Sequence, residues 1–67
     1  MKRKEIEDSL RVAAGGAQLI SRKELAVNFW GQSEKSKPVI ESIQGLPKFG
    51  TKYSIVDLSY RLHEMQR

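Results

Sequence analysis

SRKELAVNFWGQSEKSKPVIESIQG, residues 21–45, decides the fold. It opens on Ser21-Arg22-Lys23-Glu24, a capping box in which the serine hydroxyl accepts the third helical amide and the glutamate reaches back to the serine amide. Leu25, Ala26, Phe29 and Trp30 follow at i, i+1, i+4 and i+5, which predicts one buried face of a helix of roughly nine or ten residues. Gly31 is placed to stop it in the left-handed conformation, and Ile20, just before the cap, to staple onto Leu25. A polar turn leads to Pro38, which a helix tolerates only in its first turn. A second, short helix is therefore expected from residue 36 or 37 to Gln44, with Val39, Ile40 and Ile43 inward and Gly45 as its stop. Two helices joined through a tight turn at a glycine describe a helix-turn-helix.

Downstream, Lys48-Phe49 and Lys52-Tyr53 flank Gly50-Thr51, the pattern of a very short β-hairpin, with Phe49 and Tyr53 expected to anchor it from beneath. Ser54-Ile55-Val56-Asp57 is a second, weaker capping box, since aspartate is shorter than glutamate. Ile55, Leu58, Leu62 and Met65 then mark the inner stripe of a last helix, with Tyr60 facing away as a candidate partner contact and His63 as an exposed helix residue. Upstream, Ile6, Leu10, Ala13 and Ala17 give residues 2–14 an amphipathic helical period that Gly15-Gly16 interrupts. This stretch reads either as a packed helix or as a frayed tail, with Glu5, Glu7 and Asp8 on a charged face. The expected organisation is an N-terminal helical arm or tail, 1–18, and a domain, 19–67.

Composition narrows the classes. A chain of 67 residues makes at most one small domain and buries only about 60% of the surface its unfolded form exposes. No cysteine is present, so disulfides and thiolate metal sites are excluded, and one histidine cannot build a zinc site. An apolar fraction of 39% with 30% charged residues suits a globular chain. No apolar run approaches the ~20 residues of a membrane span. The basic start lacks the apolar stretch of a signal peptide, so a cytoplasmic protein is expected. No Walker, dinucleotide or zinc motif occurs, and no nucleophile–base set, so neither enzyme activity nor a cofactor is expected. The net charge of +4 is concentrated between residues 21 and 52, where Arg22, Lys23, Lys35, Lys37, Lys48 and Lys52 outnumber Glu24, Glu34 and Glu41. A polyanionic partner fits that distribution.

These elements carry a family resemblance. Leu19-Ile20-Ser21-Arg22-Lys23-Glu24-Leu25-Ala26 resembles the L-S-x-x-E-L-A opening of the MerR-like winged-helix domains of phage excisionases. It is similar also to AlpA-type prophage regulators and to the DNA-binding domain of small terminase subunits. Gly31-Gln32-Ser33 resembles their G-x-S turn, and Gly45-Leu46-Pro47 the G-x-P after the recognition helix. Gly50, Tyr53 and Asp57-Leu58 resemble the wing and the start of the next helix. The resemblance covers residues 19–62. One departure is that Pro38 sits where the family's recognition helix is already running, so the helix starts late here.

The fold implied is mainly α with a small β-hairpin wing, a winged helix-turn-helix of the MerR/excisionase kind. In that arrangement the recognition helix enters the major groove by its N-terminal portion. Ser33, Lys35, Ser36 and Lys37 then lie in the turn and first helical turn, with Glu41 and Ser42 one turn on. Serine amides and hydroxyls suit phosphate, and lysines suit phosphate or guanine. Arg22 and Lys23 begin the preceding helix and suit the DNA backbone. Lys48 and Lys52 bracket a wing tip, Gly50-Thr51, small enough to approach a minor groove. The resemblance implies a phage or mobile-element protein that binds specific duplex sites as several copies side by side, in a bacterial host cell at the nucleoid. It would serve an integrase or recombinase as an excisionase, or regulate transcription. The alternatives are a terminase-type packaging recognition domain, and a protein–protein adaptor or anti-repressor that does not bind DNA.

Overall fold

The chain runs helix, strand, helix, helix, hairpin, helix in a computed structural model that describes residues 2–65. Helix α1 spans Arg3–Ala13, and strand β1 spans Leu19–Ser21. Helix α2 starts as an α-helical turn, Arg22–Glu24, and continues as a π-helical run, Leu25–Trp30. Helix α3 covers Lys37–Ile43. Strands β2 (Lys48–Phe49) and β3 (Lys52–Ser54) form the hairpin, and helix α4, Ile55–Met65, follows. The sheet is antiparallel in the order β1-β3-β2.

Local chemistry explains the boundaries. The Ser21 hydroxyl accepts the Glu24 N–H at 3.1 Å and the Glu24 carboxylate accepts the Ser21 N–H at 3.0 Å, the reciprocal box expected. Within α2 the widened turns bring Leu25 and Trp30, five residues apart, closer together around the helix than a regular α-helix would. Gly31, at φ 63 and ψ 34, closes the helix in the left-handed region, and the Ala26 carbonyl accepts the Gly31 and Gln32 N–H groups. Pro38 stands in the first turn of α3, where its missing N–H costs no helical bond. In the hairpin, Gly50 takes φ 67 and Thr51 does not go positive, the order of a type II′ turn.

One core unites the elements. Ile6 and Leu10 of α1, Ile20 of β1, Leu25 and Ala26 of α2, Val39 of α3, and Ile55 and Leu58 of α4 are sealed from solvent. Each of the larger side chains stabilises the fold by about 1.5–3 kcal/mol through burial. Helix α1 packs along α4, so the N-terminal stretch is a packed helix and not a frayed tail. The Asn28 amide fastens α2 to the end of α1 by donating to the Ala13 carbonyl at 2.9 Å.

The packing corrects several expectations. Ile40, expected inward, is 44% exposed, whereas Ser42, expected at the outer surface, is fully buried. The reason is polar. Ser42 Oγ donates to the Pro38 carbonyl at 2.6 Å and accepts the Trp30 indole N–H at 3.1 Å, so its hydroxyl is satisfied inside and α3 turns Ile40 outward. Phe29 and Trp30 are half-buried against the core, ring to ring edge-on at 5.4 Å. Phe49 does not anchor the hairpin, being 52% exposed, while Tyr53 is buried. Cross-strand partners share a face, so Phe49 goes with Lys52, and only Tyr53 turns inward, beside Ile20.

Glu7 likewise leaves the expected charged surface. It is buried to 7% exposure and pairs with Arg3 at 2.6 Å and Arg11 at 3.1 Å. Arg3 also donates to Ser59 Oγ at 3.0 Å and lies over the Tyr60 ring, which ties α1 to α4. No helix among the described residues is long and apolar enough to cross a membrane.

Candidate nucleic-acid interface

The position of α3 relative to its neighbours is fixed by three polar ties. Arg22, at the start of α2, forks onto the Glu34 carbonyl through Nε at 3.0 Å and a terminal nitrogen at 2.8 Å. Trp30, at the end of α2, donates to Ser42 inside α3. Arg61 of α4 donates from Nε to the Glu41 carbonyl at 3.2 Å. Between α2 and α3 the Ser36 N–H closes a turn onto the Ser33 carbonyl at 3.1 Å. Helix α3 is thereby held at its entry, its inner face and its far end.

The expected contact residues fall into distinct environments. Lys23, Ser33, Lys35, Lys37, Lys48, Thr51 and Lys52 are exposed. Arg22 and Ser36 are half-buried. The guanidinium of Arg22 is engaged by the Glu34 carbonyl, so its observed task is to hold the inter-helix turn. The Ser36 hydroxyl is enclosed and has no hydrogen-bond partner among the described residues. Lys37 is 89% exposed at its side chain and sits 3.9 Å from the Glu41 carboxylate across one helical turn. Such an exposed pair contributes little to stability.

Strand register brings part of this set together. Lys52 lies opposite Ser21, the residue that caps α2, and Arg22 follows immediately and holds the turn that leads into α3. Lys52 is thus a neighbour of the first turn of α2, and Arg22 in that turn reaches separately to the Ser33–Ser36 turn. The Glu24 carboxyl is held below its usual range, first by the Ser21 backbone N–H, with the Ser21 hydroxyl and the Lys52 charge adding to the effect. Lys48 departs from the expected arrangement. It pairs with Tyr53, so it leaves the hairpin on the opposite face from Lys52 and the two lysines do not form one clamp.

No protein-family model, curated protein or solved structure matches the chain.

The outer side of α3 presents Lys37 and Ile40, with Glu41 half-exposed beside them and the exposed Gln44 just past the helix end. Lysine ammonium groups donate to phosphate or to guanine edges, and a carboxylate accepts from an exocyclic amine. No group of three or more His, Asp or Glu side chains that suits a metal ion occurs among the described residues. Two clefts lie elsewhere, one at Asp8, Arg11, Val12, Gly15 and Gly16, the other at Leu46, Pro47, Asp57, Tyr60, Arg61 and Glu64. None of the expected contact residues lines either. The sequence reading missed Arg61 and Trp30 as residues that set α3. Their signal was only the general demand that a part-buried guanidinium or indole N–H find an acceptor.

Proposed function

We propose that this protein is a winged helix-turn-helix, with α2 and α3 as the helix-turn-helix, β2 and β3 as the wing, and α3 as the recognition helix. It binds specific double-stranded DNA sites and serves a phage or mobile element as an excisionase or a transcriptional regulator. The observation that carries this reading is the β1-β3-β2 sheet order. It pairs Lys52 of the hairpin with Ser21, the residue that caps the start of α2.

A duplex offers two kinds of group to such a surface. Phosphates attract Lys23, Lys35 and Lys52, which supply affinity without sequence information. Base edges in the major groove face the outer side of α3, where Lys37 stands in the first turn. A single small module of this kind buries about 600–1,000 Å² on DNA, so several copies on adjacent sites would be needed for stable occupancy. Side-by-side binding of that kind would suit an excisionase that bends DNA for an integrase.

Fluorescence anisotropy of the full chain with labelled duplexes over a range of salt concentrations tests the reading. Binding whose affinity falls steeply as salt rises is expected. Absence of salt-sensitive binding at micromolar protein would instead favour a protein–protein adaptor.

A further inference from the structure

Helix α3 carries an aliphatic side chain on its outer face. Ile40 is 44% exposed, while Val39 and Ser42 beside it are sealed in the core. Exposed apolar residues are ordinary one by one, but the setting of this one is not. It stands one turn after Lys37 on the same face, and next to Glu41. The three ties from Arg22, Trp30 and Arg61 fix α3, so Ile40 cannot be drawn into the core without breaking the Trp30–Ser42 bond.

In the major groove adenine, guanine and cytosine are read chiefly through nitrogen and oxygen. Thymine alone offers an apolar group, its 5-methyl. Resting on the DNA-binding reading above, we infer that Ile40 is a specificity-determining residue that selects thymine by packing against that methyl. Lys37, one turn earlier on the same face, lies toward the preceding base or phosphate, so Ile40 reads from the middle of a seven-residue helix.

The test uses the full chain and a site selected from random duplexes. Each thymine of that site is replaced in turn by uracil, which keeps every hydrogen-bonding edge and removes only the methyl. At one position the replacement is expected to weaken wild-type binding about four-fold, the worth of burying one methyl group. Ile40→Ala is expected to bind the thymine site more weakly and to lose the discrimination at that position. Ile40→Val, which keeps a branched aliphatic group, is expected to retain most of it. Indifference of the wild type to every uracil, or an undiminished uracil penalty in Ile40→Ala, would overturn the assignment of Ile40 and leave DNA binding intact. A selection that enriches no sequence, together with no salt-sensitive binding, would overturn the DNA-binding reading and this inference with it.

Discussion

Trp30 donates its indole N–H to Ser42 Oγ at 3.1 Å, the tie that holds the inner face of α3. It satisfies a serine in the core while Ile40 lies at the surface. Ser42→Ala leaves a part-buried indole N–H without its acceptor, and is expected to cost about 1–2 kcal/mol of stability. Urea unfolding followed by tryptophan fluorescence measures this. A variant as stable as the wild type would show that the bond does not set the helix.

Acid should loosen the contact between α1 and α4. The Glu7 carboxyl is lowered from 4.5 to about 2, first by the hydrogen bond from Arg3, then by that from Arg11. A carboxylate with a depressed folded pKa contributes stability that is fully present above its unfolded value and is lost as pH falls through the folded one. The wild type should therefore lose stability between about pH 5 and pH 2, and Glu7→Gln should flatten that part of the profile while lowering the plateau above it. Thermal melts across this range supply the check. An equally steep acid profile in Glu7→Gln would mean that other carboxylates govern it.

Arg22 offers a test of structure against contact. Lysine keeps the charge but cannot fork onto the Glu34 carbonyl. Arg22→Lys is expected to cost about 1 kcal/mol by freeing the turn before α3, and to weaken DNA binding beyond what a retained phosphate contact would allow. If Arg22 only touches phosphate, Arg22→Lys will match the wild type in both stability and affinity.

The helices and the hairpin were legible because their signals are local. Capping at Ser21, the left-handed stop at Gly31, Pro38 in a first turn and the Gly50-Thr51 tip each follow from a few neighbouring residues. The setting of α3 was not legible. Hydrophobicity favours Ile40 inside over Ser42, and that order reverses because Ser42 Oγ, donating to the Pro38 carbonyl one turn back, also accepts the indole N–H of Trp30 from another helix. The hairpin shows the same limit. Its existence follows from composition, but which aromatic turns inward depends on register with β1, and the pairing of Tyr53 with Ile20 fixes it. Phe49 and Lys48 then take their faces from Tyr53. The π-helical widening of α2 was hidden as well, since the i, i+1, i+4, i+5 stripe also fits a regular α-helix.

The hairpin lysines separate by the same register. Lys52 pairs with Ser21 at the start of α2, whereas Lys48 leaves by the other face. Lys52→Ala is expected to weaken DNA binding across all sequences, and Lys48→Ala to weaken it less. Affinities of the two variants for one duplex at fixed salt decide between them, and equal losses would show that the wing docks differently.

The most direct test of the central claim is the salt dependence of duplex binding by the full chain and by Lys52→Ala. A straight fall of log affinity with log salt is predicted for the wild type, with a slope shallower by about 0.9 in Lys52→Ala, the share of one phosphate contact. No binding at micromolar protein in low salt, or binding indifferent to salt, would contradict the account.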